Sequence, residues 1–165
     1  MRSSTRRMAK IGLIAALYAV ITLALGFISY GPIQFRIAEI MTLLPLFGKE
    51  YIIALTLGCF LANVIGPYGL PDIIFGTLAT FISVYLVYLT GKVMNYKKGH
   101  ILIASLWPTI VNAIIIGIML NIISGFPLII SILEVGFGEF VVITIIGVPL
   151  FKAFKEKYSK LLKDF

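Results

Sequence analysis

The feature that most constrains this chain is a set of apolar runs without a single charge. Residues 11–28, 73–91 and 101–133 contain no Asp, Glu, Lys or Arg. Each run reaches the roughly 18 residues at which a membrane-crossing helix becomes the default reading. A helix satisfies all its backbone hydrogen bonds within one segment, which the hydrocarbon region demands. The chain therefore reads as an all-α membrane protein, and at 60% hydrophobic and 13% charged residues it lies outside the soluble range. Its 165 residues allow one domain.

The run from Ile101 to Leu133 is too long for one span. As a continuous helix it would reach about 50 Å against a hydrocarbon thickness of about 30 Å. Ser124-Gly125-Phe126-Pro127 supplies the break, because glycine disfavours helix and proline lacks the donor that would continue it. The expected bundle has six transmembrane helices in a single integral membrane domain, residues 1–165, with approximate spans 10–28, 36–48, 51–66, 72–91, 101–121 and 134–152. The second is the shortest, since Gly48 follows Arg36 so closely.

Positively charged loops stay on the cytoplasmic side. With six spans, thirteen of the fourteen basic residues fall on one side: the N-terminal group, Lys49, the Lys92–Lys98 loop and the C-terminal tail. Only Arg36 falls on the other. Both termini are then expected in the cytoplasm, and the net charge of +7 reflects topology and anionic headgroups rather than nucleic-acid binding. The N-terminus resembles a signal peptide with Ala24-Leu25-Gly26 as a weak cleavage site, but removing it would leave five spans and a poorer charge balance. The single cysteine, Cys59, permits no disulfide within the chain.

Alternating the direction of the spans places the polar residues by depth. Arg36, Glu39, Asn63, Asp72, Asn112, Glu134 and Glu139 all fall from the middle of the membrane outward. Ionisable groups are costly there, so their convergence predicts a polar pocket open to the outside. Each also has a structural alternative. Arg36 and Glu39 are spaced for an ion pair, Asp72 and Glu134 for helix starts, and Asn63 and Asn112 for bonds between helices. Glu139 lies deeper, between small neighbours in GFGEF, and favours the ligand reading. On the first helix Gly12 and Ala16, and Ala15 and Ala19, repeat at four-residue spacing. Such stripes let another helix approach, either inside the bundle or from a partner.

No GxxxxGK[ST] phosphate loop occurs, the one histidine lies in a basic loop, and the cysteine has no histidine partner on its helix. No cofactor or metal is expected, and an enzyme is disfavoured. A channel would need polar inner halves, which the sequence lacks. A scaffold subunit without ligand remains a rival.

Four segments in order, GPIQFRIAE, LPDIIFGTLATF, VNAIIIG and VGFGEFVV, resemble those of the QueT family, substrate-binding S components of energy-coupling-factor (ECF) transporters assigned to queuosine precursors. The resemblance covers most of the chain. It implies a six-helix S-component fold in a prokaryotic plasma membrane, docking through Ala15 and Ala19 on a transmembrane coupling subunit, and two cytoplasmic ATPase subunits. The family's pocket lies beneath the loop joining the first two helices, here Ser29 to Gln34. A 7-deazaguanine ligand would present N–H donors to Glu39, Asp72 or Glu139, with amides at Asn63 and Asn112, and Phe35, Tyr68 and Phe137 as stacking surfaces. Queuine and its 7-cyano and 7-aminomethyl precursors remain open, as does another vitamin or base.

Overall fold

The computed structural model describes residues 2–31 and 33–164, with side chains for 4–31 and 33–157. Among these residues the chain is all-helical, without a strand. The helices are α1 (Arg2–Ala24), the single turn α2 (Gly26–Ser29), α3 (Glu50–Ile65), α4 (Thr77–Val93), α5 (His100–Ser124), α6 (Leu128–Glu139) and α7 (Val148–Asp164). Between them lie a 3-10 segment, Ile37–Leu46, and two π segments, Asp72–Gly76 leading into α4 and Phe140–Gly147 joining α6 to α7. Among the described residues, four continuous stretches are long and apolar enough to cross a membrane: Ser4–Ala24, Asp72–Val93, His100–Ser124 and Leu128–Lys157. Two shorter apolar helices, Ile37–Leu46 and Glu50–Ile65, accompany them.

The break in the long apolar run has a defined geometry. Gly125 takes φ +68°, a left-handed conformation costly for other residues, and its N–H closes on the Asn121 carbonyl at 3.0 Å. The Asn121 side chain donates to the Phe126 carbonyl at 2.5 Å, covering a group the turn leaves exposed. Pro127 then sits just before α6. The helix starts at Leu128, six residues ahead of the expected start of the last span, because Leu128 to Leu133 are apolar enough to join it. Glu134 is consequently a half-buried residue inside α6 rather than at its start.

The segment after Arg36 also differs from expectation. It forms a 3-10 helix, with the Glu39 and Phe47 N–H groups bonding three residues back at 2.9 Å and 2.8 Å. Pro45 inside it removes one donor that an α-helix would use. At about 2.0 Å rise per residue this winding covers more depth per residue than an α-helix.

Small residues fix the closest helix crossings. A Cβ added to Gly58 on α3 would lie 2.8 Å from the Ala15 carbonyl oxygen and 2.9 Å from the Tyr18 Cβ on α1. One added to Gly117 on α5 would lie 2.8 Å from the Ile132 Cα on α6. Ala15 and Ala19 are thus buried against the chain's own helices, because α3 occupies the face they present. Of the small residues spaced along α1, Ala15 and Ala19 thus follow the packing alternative, while Gly12 and Ala16 stay exposed. Apolar side chains pack into three clusters, one centred on Tyr18, Leu55 and Cys59, one on Leu43, Val87 and Ile143, and one on Ile116, Leu120 and Val135. Leu13, Val20, Ile53, Ile65, Ile129 and many other large apolar residues face outward. A surface so apolar matches lipid, not water.

Candidate ligand-binding site

Between these clusters lies a concentration of buried polar side chains. Arg36 precedes the 3-10 segment, Asp72 opens the π segment before α4, and Cys59 and Asn63 stand one turn apart on α3. Arg36 Nη2 lies 3.9 Å from Asp72 Oδ2, a loose ion pair between buried groups. The Asn63 amide donates to the Asp72 carbonyl oxygen at 2.9 Å and to Cys59 Sγ at 3.3 Å. Thr80 donates to the same sulfur at 3.1 Å. Gly76 lets this group close up, for a Cβ there would lie 2.5 Å from Asp72 Oδ1 and 2.6 Å from Asn63 Nδ2.

Glu39 does not take its hydrogen bond from Arg36. The Tyr18 hydroxyl of α1 donates to Glu39 Oε1, while Thr42 Oγ1 donates to the Glu39 backbone carbonyl at 2.5 Å. Glu139 on α6 bonds to Asn112 on α5 and lies within the electrostatic reach of Glu39 and Arg36. Five parts of the fold, α1, the 3-10 segment, the α3–α4 region, α5 and α6, therefore supply groups to one buried region.

A tyrosine pair closes the side next to the Ser29–Gln34 loop. The Arg36 guanidinium stands over the Tyr30 ring, 5.5 Å from its centroid. Tyr30 donates to the Ala62 carbonyl at 2.9 Å, and Tyr68 donates to the Tyr30 carbonyl at 2.8 Å. Burial pushes both phenols above their ordinary pKa, so both remain donors at neutral pH. Within the loop, Gln34 adopts φ +51°, uncommon for a residue with a side chain, and its N–H reaches the Gly31 carbonyl at 3.1 Å. Pro32 of this loop lies outside the described residues.

Many of these buried groups have no hydrogen-bond partner among the described residues. The acceptors are Glu39 Oε2, both Asp72 carboxylate oxygens, Asn63 Oδ1 and Glu139 Oε2; the donors are Arg36 Nε and Nη2 and Gln34 Nε2. Buried polar atoms are paired in the great majority of cases, so a concentration of unpaired ones makes this region the candidate ligand site. Three carboxylates face one guanidinium, which makes the fully ionised cluster net acidic.

The sequence candidates divide accordingly. Arg36, Glu39, Asn63 and Asp72 come together around Cys59, and Asn112 and Glu139 adjoin them. Tyr68 acts through Tyr30. Phe35 and Phe137 make an edge contact with each other at 6.3 Å, with Phe35 packed on an apolar cluster and Phe137 58% exposed, so they stand apart from the polar groups. Sequence reasoning passed over Tyr18, Tyr30, Gln34, Cys59 and Thr80. Cys59 had one signal, its position four residues before Asn63 on the same face of α3.

The chain also resembles known proteins. A 40% identical stretch of 87 residues, 52% of this chain and 51% of the other, is shared with the "Queuosine precursor transporter QueT" of Lactococcus lactis subsp. cremoris (strain MG1363). The chain thus spans about half the length of the curated relative it matches. No solved structure matches. The family model described as QueT transporter matches residues 8–156, the stretch that carries every polar side chain of the cluster, and the chain belongs to the QueT transporter family.

Proposed function

We propose that the chain is the substrate-binding S component of an ECF transporter and captures a queuosine precursor of the 7-deazaguanine class in the buried polar cluster. The observation that carries this reading is the set of unpaired carboxylate and amide acceptors gathered around Arg36. A guanine-like edge offers adjacent N–H donors, and one carboxylate accepts two of them in a bidentate arrangement. The base carbonyl would take a donor from Arg36 or Gln34. A 7-aminomethyl substituent would bring a cation that a second, ionised carboxylate could accept.

The relative's printed name, a queuosine precursor transporter, supports the substrate class. In this reading six segments cross the plasma membrane of a prokaryotic cell: α1, the 3-10 segment, α3, α4, α5 and the continuous α6–α7 stretch, with both termini in the cytoplasm. The basic loops at Lys49 and Lys92–Lys98 support that orientation. A transmembrane coupling subunit would dock on the open face of α1 around Gly12 and Ala16, since Ala15 and Ala19 are already covered. Two ATPase subunits would supply the energy. Mass spectrometry of small molecules co-purifying with the chain tests the substrate class. A 7-deazaguanine is expected, and consistent recovery of a chemically unrelated compound would overturn the assignment.

A further inference from the structure

At the opposite end of α4 from Asp72, a cavity of about 450 Å³ opens beside the turn that joins α4 to α5. Lys97, Lys98 and Lys152 line it together with Tyr96, Ile101 and Leu102, and among the described residues the lining contains no acidic side chain. A fourth lysine is held close. The His100 Nδ1 contacts the Lys97 carbonyl at 2.7 Å, and a carbonyl only accepts, so Nδ1 carries the proton. His100 Nε2 is then an acceptor, and Lys155 Nζ sits 3.4 Å from it. The general enrichment of lysine at one membrane face explains how many there are. It does not explain why three of them surround one concave site.

The depth of the cavity indicates its occupant. Tyr85 and Tyr96 are about half exposed, Lys92 stands over the Tyr88 ring at 5.0 Å, and Trp107 donates to Thr90 at 2.8 Å. Amphipathic aromatics and lysines of this kind collect at the level of lipid headgroups. Just beyond the lysines the surface turns apolar, with Val93, Leu102 and Ile103 exposed. A cationic recess above an apolar wall matches one molecule that is anionic at its head and apolar below. We propose that this cavity binds the phosphate headgroup of an anionic phospholipid, with the lipid's chains lying along Leu102 and Ile103.

The single tryptophan, Trp107, lies seven residues beyond His100, about 10 Å along the helix, and serves as the reporter. The full chain is placed in phosphatidylcholine nanodiscs containing a minor fraction of chain-brominated phosphatidylglycerol or, separately, brominated phosphatidylcholine. Phosphatidylglycerol is expected to quench Trp107 more strongly at equal mole fraction. That preference should fall about fivefold for each of Lys97→Gln, Lys98→Gln and Lys152→Gln, and survive when all three become arginine. The three lysines are exposed, so the substitutions leave the core intact. Equal quenching by the two lipids, or a preference unchanged in the triple glutamine variant, would overturn the proposal. Inorganic phosphate should have no more effect than chloride at the same ionic strength. Loss of the preference with phosphate alone would show a free-anion site and overturn the lipid assignment.

Discussion

At the scale of single residues, the buried carboxylates carry more acceptor atoms than the described residues satisfy. Losing one partner of a buried charge-assisted pair costs about 2 to 5 kcal/mol, at least about a thirty-fold loss of affinity. Glu39→Gln and Glu139→Gln preserve size but turn a donor toward the ligand's own N–H groups, and calorimetry should register weakening of that order in at least one of them. Tyr18→Phe removes the hydrogen bond to Glu39 Oε1 and leaves another acceptor unpaired. Thermal melting of the ligand-free variant should show a loss of about 1 to 3 kcal/mol, and an unchanged melt would mean that the bond contributes nothing. Why the charged residues could be picked out of the sequence is physical: an ionisable group inside an apolar run is too costly to be incidental. Tyr18, Tyr30 and Cys59 carry no such mark. Their side chains are as much at home in a core as in a site, and only the hydrogen bonds made across the bundle distinguish them.

At the scale of elements, the irregular windings carry the polar groups. The 3-10 segment begins just after Arg36, and the π segment before α4 begins at Asp72. Such departures from α-helix often occur at functional positions. Gly76 closes the second of these against Asn63, so Gly76→Ala should displace Asp72 and Asn63 and weaken ligand binding about tenfold, equivalent to about 1.4 kcal/mol. Gly58→Val tests a different contact, the α1–α3 crossing, and should destabilise the fold by about 1 to 3 kcal/mol on a thermal melt through overpacking. The break at Gly125–Pro127 is legible from residue types because those residues carry their own backbone preferences. The 3-10 winding is not, since Pro45 alone does not specify a hydrogen-bond register over ten residues. Nor does sequence spacing reveal which of two small-residue pairs on α1 meets α3: Gly12 and Ala16, and Ala15 and Ala19, look alike until Gly58 is placed opposite Ala15.

At the scale of the whole molecule, the chain presents an apolar exterior and a polar interior region, an arrangement suited to holding a ligand within the bilayer. In the proposed function, partner subunits would drive uptake. Gly12→Trp and Ala16→Trp, on the open face of α1, should abolish association with a coupling subunit in co-purification while ligand affinity stays near normal. Ala15→Trp should instead disrupt folding, because α3 fills that space. Intact complexes from both open-face variants would refute the docking surface. Calorimetric titration of the purified, monodisperse chain, without partners or ATP, with 7-aminomethyl-7-deazaguanine tests ligand capture by the chain alone, guanine serving as the comparison. Saturable one-to-one binding of the deazaguanine is expected, and it should be lost or strongly weakened when Glu39 and Glu139 are both replaced by glutamine. Absence of binding by the folded wild-type chain to this base, its 7-cyano counterpart and queuine alike, or unchanged affinity in the double variant, would contradict it.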